Sequence, residues 1–237
     1  MIHWKSDFRE FLFSNIHYQQ IEPNNRVAEV LPKLQNEMEI NILKKIHSVK
    51  KKNIKYLSLD KNGEVFYRNA GGRYWRMVKS FPSYFESSKG ISTSSTEKVM
   101  SVNKEYVGVL VALYSSSLFY WFWRVVSNCR HLTDREFDSF EIPDFVINNS
   151  KVKLTLENIA KRYEVSLKEN AVRVTTENKN SGGIEQDVYR IKLSKPIIDE
   201  IDKVLALHYG FSGEELDFIL NYDIKYRLGA VSGDEEE

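Results

Sequence analysis

From Tyr106 to Trp123 the chain reads YVGVLVALYSSSLFYWFW, without a single charged residue. A bilayer-spanning helix needs about 20 apolar residues, so such a stretch either crosses a membrane or demands a large core around it. Ser115, Ser116 and Ser117 break it in the middle, and Arg124 follows it directly. Consecutive hydroxyls suit a helix end and a fresh helix start. The pattern therefore predicts two buried helices, approximately 104–114 and 116–127, with Trp121 or Trp123 in the core. A protein built this way has no membrane partner.

A chain of 237 residues is long enough to enclose that pair. Its 42% hydrophobic and 13% aromatic content argues for a packed globule rather than a disordered chain. Cys129, the single cysteine, excludes an intramolecular disulfide and a Cys-rich zinc site, and it suits a reducing cytoplasm. The opening MIHWKSDFRE is charged, and no signal peptide begins there.

Around the apolar stretch the pattern predicts an α+β fold. Phe8, Leu12, Phe13 and Ile16 are spaced for a short amphipathic helix. Leu34, Met38, Ile42, Leu43 and Ile46 predict another, running on towards Ile54. Residues 56–79 read as strands, with a hairpin at Asn62-Gly63 and a second, aromatic-rich strand after Gly71-Gly72. Residues 86–98 read as a polar loop. After Pro143 come a helix at about 153–164 and a hairpin pairing Val172 and Val174 with Tyr189, Ile191 and Leu193. Next, a helix capped by Ser194 carries Pro196 in its first turn and ends at Gly210, and a last one opens with the capping-box pair Ser212 and Glu215. The expected organisation is a mixed domain over 1–145, a helix–hairpin–helix appendage over 146–230 and an acidic tail at 231–237.

Charge is unevenly placed. Residues 1–150 hold 21 Lys/Arg against 16 Asp/Glu, and the remainder holds 13 against 17. The basic excess lies in the larger part, where a polyanion would dock. Lys44, Lys45, Lys50, Lys51, Lys52 and Lys55 form one run, which is either a solvated helix end or a phosphate-facing patch. A second basic stretch interleaves Lys61, Arg68, Arg73, Arg76 and Lys79 with Phe66, Tyr67, Tyr74 and Trp75. Arginine forks match guanine or phosphate, and Asn69 suits adenine or a turn. The other reading is a hairpin whose aromatics fill the core while its arginines stay wet.

The signatures of catalysis are missing. An adenine-directed methyltransferase grips its flipped base with an Asn/Asp-Pro-Pro-Tyr-type segment, yet none of the prolines at 23, 32, 82, 143 and 196 adjoins another. Gly71-Gly72 precedes no helix, so it reads as a turn rather than a cofactor loop. His3, His17, His47, His131 and His208 show no metal-ligand spacing. The expectation is a chain with no methyltransferase or nuclease centre, no metal and no bound cofactor.

Three blocks carry a resemblance: YRNAGGRYWRMVKSFP, then SSSLFYWFWRVVSNCRHLTDREFDSFEIP, then ELDFILNYDIKYRLG. With the opening LFSNIHYQ and LPKLQNEMEINILKKI, they resemble, in order and over essentially the whole chain, the C-terminal target-recognition region of type IIG restriction–modification enzymes and related N6-adenine DNA methyltransferases. The resemblance implies a sequence-specific DNA recognition module over 1–145. Its partners would be double-stranded DNA and a methyltransferase catalytic domain or subunit, with S-adenosylmethionine and magnesium belonging only to the catalytic domains. Residue 1 falls where such a catalytic domain would already have ended, which implies a fragment, a shortened gene or a separate specificity subunit. The expected DNA-contacting residues are Arg68, Asn69, Arg73, Tyr74, Arg76, Lys79, Arg130, His131 and Arg135. The competing function class is a scaffold that chiefly binds the catalytic partner.

Overall fold

The computed structural model describes residues 26–27, 30–71, 74–178 and 182–229; the amphipathic stretch read at 1–21 and the acidic tail at 231–237 lie outside them. The fold is α+β, as the sequence predicts. Helix α1 (Glu37–Ser48) opens at Asn36, whose side chain accepts the Glu39 N–H at 2.9 Å. It stops short of Ile54 because Val49 turns extended, and Lys51–Lys52 form a short strand, β1.

Asn53 then caps a 3₁₀ turn over Ile54–Ser58 where a strand was expected. Without that strand there is no hairpin at Asn62-Gly63. Gly63 instead starts β2 (Gly63–Arg68), and the Asn62 side chain accepts the Lys104 N–H at 2.7 Å. A Cβ on Gly63 would lie 2.7 Å from Lys104 Cα and Val107 Cγ2, so close packing, not a turn, requires the glycine.

Strand β2 pairs antiparallel with the two-residue β3 (Val78–Lys79), all that forms of the aromatic strand. The stretch read as a polar loop contains a small hairpin, β4 (Phe85–Ser87) with β5 (Gly90–Ile91), and the start of β6 (Glu97–Val102). β6 covers the other edge of β2, giving the order β3-β2-β6.

The uncharged stretch folds as α2 (Val107–Ser115) and α3 (Ser117–Val126), bent by 67° at Ser116. Among the described residues no single helix is long and apolar enough to cross a membrane. Each serine serves the bend. Ser115 Oγ donates to Val78 O at 3.1 Å, tying α2 to the sheet. Ser116 Oγ accepts the Phe119 N–H at 3.0 Å and caps α3. Ser117 and Leu118 give their N–H groups, each at 3.0 Å, to the buried Asp202 carboxylate. Trp121 and Trp123 are both fully buried, as expected.

A short helix, α4 (Asp134–Phe140), follows behind a Thr133–Glu136 capping box, and β7 (Ile142–Pro143) returns to pair with β1. Then come α5 (Asp144–Asn148) and the long α6 (Ser150–Glu169). Strands β8 (Ala171–Asn178) and β9 (Gly182–Tyr189) form the expected hairpin in a shifted register: Ala171 faces Tyr189 and Val174 faces Gln186, while Ile191 and Leu193 lie in a 3₁₀ turn. Helix α7 (Lys195–Tyr209) carries Pro196 in its first turn and ends at Gly210, which takes the left-handed φ of +70°. Ser194 makes no side-chain cap and bonds Ser166 Oγ at 2.8 Å instead. The Ser212–Glu215 capping box opens α8 (Gly213–Asn221), and α9 (Ile224–Arg227) completes the described chain.

One hydrophobic core runs from Val27 through Trp121 and Trp123 to Ile219. α6 and α7 pack on α2, and β4 pairs with β9 inside one four-stranded sheet. The boundary expected at 145/146 therefore cuts through a shared core and a shared sheet. The C-terminal helices cover the aromatic pair rather than hanging from it, because two uncharged helices need partners on every side.

His47, half-buried near the end of α1, has its pKa lowered by burial and then by Lys51. A depressed imidazole pKa means the folded state prefers the neutral ring, so its contribution is present above the unfolded pKa and lost as pH falls through the folded one. The midpoint of denaturant unfolding is expected to drop as pH is lowered below about 6.5, and His47→Gln should blunt that drop.

Candidate nucleic-acid interface

Two segments about sixty residues apart meet just beyond the end of β2, the central strand of the β3-β2-β6 sheet. Ala70 and His131 form an isolated antiparallel bridge, and Asn69 O accepts the Leu132 N–H at 2.8 Å. Trp123 Nε1, from the buried helix, donates to His131 O at 3.0 Å and fixes the second segment from beneath. Asn128 shapes that segment locally, its side chain accepting the N–H groups of Arg130 at 2.9 Å and His131 at 3.3 Å. The first segment turns at Gly71, with φ +74°, and Arg68 Nε clamps the turn by donating to Ala70 O at 2.9 Å. Sequence-distant basic residues thus share one rim: half-buried Arg68 beside exposed Arg130 and His131, with exposed Arg135 one turn on.

Several expected contacts take other roles. Lys79 is fully buried: its Nζ binds Glu97 Oε2 at 2.7 Å and Phe81 O at 2.6 Å, within 5.5 Å of the Phe66, Phe81 and Tyr189 rings. Burial lowers its pKa, and Glu97 opposes that shift. It is a structural lysine out of reach of DNA. Arg76 is also buried, with its guanidinium 3.9 Å from the Trp123 ring centre and NH2 donating to Gly71 O at 3.1 Å. It supports the rim from below rather than contacting a base. Tyr74 is half-buried and stacks on Tyr226 at 5.6 Å, and Trp75 Nε1 donates to Arg227 O at 2.9 Å. Arg135 is exposed and paired with Glu136, the capping carboxylate of α4. Asn69 Oδ1 is buried with no hydrogen-bond partner among the described residues. Arg73 lies outside them.

The lysine run is partly spent on carboxylates, since Lys45 meets Glu215, Lys51 meets Glu141 and Lys55 meets Asp138. The structure adds a residue that sequence reasoning passed over. Arg124, taken only as the end of an apolar run, is half-buried, its Nε 3.3 Å from Asp223 Oδ2. Its signal was present, for it is the one charge ending a helix that is otherwise fully buried.

A restriction nuclease of the common type uses a Glu-x-Lys triplet at its metal, and against the expectation that this signature is missing the chain carries one, Glu177-Asn178-Lys179. Glu177 is exposed near the end of β8, and Lys179 lies outside the described residues. Among the described residues, no three His, Cys, Asp or Glu side chains are placed to hold a metal ion. No protein-family profile, curated protein or solved structure matches this chain.

Proposed function

We propose that the chain is a recognition module for double-stranded DNA, positioning a duplex for a partner N6-adenine methyltransferase domain or subunit. The observation that carries this reading is the Ala70–His131 bridge. It converts two basic segments, unremarkable singly, into one exposed rim bearing Arg68, Arg130 and His131 on a rigid aromatic base. Cations held on a rigid support suit phosphate contact, and arginine forks suit guanine edges. In this reading the chain supplies the choice of site, and the partner supplies the methyl transfer.

The test is duplex binding by fluorescence anisotropy. Arg130→Ala is expected to cost about 1–3 kcal/mol and to relax preference at one base pair if the contact is to a base edge. Lys44→Ala, in the lysine run, should weaken all duplexes alike. Equal loss from both substitutions on every sequence would remove Arg130 from base recognition.

A further inference from the structure

One border of the four-stranded sheet lacks the devices by which edge strands avoid pairing. In the order β5-β4-β9-β8 the two borders are β5, with two residues, and β8, with eight. An edge strand presents a row of unpaired N–H and C=O groups, which proteins blunt with brevity, proline, lysine or a bulge. β5 is blunted by brevity, as is β3 in the other sheet, while β6 there carries exposed Lys98. β8, AVRVTTEN, has no proline and no lysine, and its register with β9 runs unbroken from Ala171 to Asn178. Val172, Val174, Thr175 and Thr176 are β-branched, which suits a pleated surface. Val172, Arg173, Thr175, Thr176 and Glu177 are all exposed.

This edge is complementary to itself. Side chains alternate along a strand, so Arg173, Thr175 and Glu177 share one face. When two copies pair antiparallel about a two-fold axis, one residue faces its own equivalent. With Thr175 on the axis, Arg173 faces Glu177 of the second copy, and the symmetry repeats that pair. Centring on Arg173 would set two arginines face to face, and centring on Val174 or Thr176 joins no opposite charges. Arg173 is already held on this face: its Nε donates to Asp187 Oδ1 at 3.0 Å, and its guanidinium carbon lies 3.6 Å from the Tyr84 ring centre. A guanidinium has five N–H donors, enough for a second carboxylate on its open side. Glu177 meets no cation among the described residues, and the residue opposite it in β9 is Gly183, which has no side chain.

We infer that β8 is an interface between two copies of this chain, which join as an antiparallel β8–β8 pair centred on Thr175 and merge their four-stranded sheets into one. Main-chain hydrogen bonds supply the attachment, and the two Arg173–Glu177 pairs set the register. The interface does not depend on the DNA reading.

The experiment is sedimentation equilibrium of the whole chain over a concentration series, with Glu177→Lys and Arg173→Glu, each checked for cooperative unfolding. The wild type is expected to dimerise reversibly. Glu177→Lys sets a lysine against Arg173 at both pairs and should weaken the dimer by about tenfold. Arg173→Glu sets two carboxylates together at both pairs and should act the same way. An equimolar mixture of the two variants should dimerise again, because every pair across the axis then joins opposite charges. Glu177 is exposed and has no cation to lose, so Glu177→Lys reads the interface even if Arg173→Glu loosens the hairpin. A wild type that stays monomeric at every concentration would overturn the inference and leave the edge to an extended segment of a different protein. A dimer that folded Glu177→Lys protein forms as readily as the wild type would overturn it as well.

Discussion

Trp121→Ala is expected to destabilise the fold by about 3–5 kcal/mol, a large part of the roughly 5–15 kcal/mol that holds a domain together. Trp121 is fully buried, and its Nε1 donates to Glu39 Oε1 at 3.1 Å. Truncation removes the ring, leaves a cavity among α1, α3 and their neighbours, and strands one oxygen of a buried carboxylate. Glu39 Oε2 also accepts the Gln35 N–H, so the loss reaches the chain entering α1. The measurement is the denaturant midpoint at unchanged m-value. Trp121→Phe should recover most of the volume and lose chiefly the Glu39 contact. A change below about 1 kcal/mol for the alanine variant would mean the bent pair is not the centre of the core.

Lys79→Met is the second large effect, expected at about 3–5 kcal/mol because Glu97 then stays buried without its cation. Glu97 also accepts Ser83 N at 2.8 Å and Ser83 Oγ at 2.6 Å, so one carboxylate organises the whole β3-to-β4 connection. Adding Glu97→Gln should restore part of the loss, since a neutral amide is cheaper to bury than an unpaired charge. Strong coupling between the two substitutions is the expected signature. Duplex affinity of the folded Lys79→Met protein should equal that of the wild type, which separates this lysine from the interface expected of it.

The bent aromatic pair was legible because composition alone forces it. A run without charge has few ways to be satisfied, and three serines at its centre leave a break as the simplest. The caps at Ser212 and Gly210 were legible for the same local reason. Strand β6 was not: of Glu97 to Val102 only the two ends are buried, and Glu97 is buried because Lys79, eighteen residues earlier in the chain, faces it. The Asn62-Gly63 dipeptide misled because its turn chemistry is ambiguous with close packing, here against Lys104. At the candidate interface, Arg68, Arg130 and His131 were singled out in the sequence, but their meeting was invisible, since it depends on a single bridge between Ala70 and His131. Arg76 and Lys79 were assigned to DNA because they alternate with aromatics. The rings that cover them come mostly from elsewhere in the chain: Trp123 for one, and Phe66, Phe81 and Tyr189 for the other.

The joined rim of residues 68–71 and 128–131 is proposed to bind duplex DNA. Anisotropy titration of a mixed-sequence duplex, repeated across a salt series, tests it most directly. The account predicts binding at low salt, a linear fall of log affinity with log salt, and a marked loss in an Arg68→Ala, Arg130→Ala double variant that unfolds at a near wild-type midpoint. A cooperatively folded wild-type chain that binds no duplex at low salt, or a double variant that binds as well as the wild type, would contradict it.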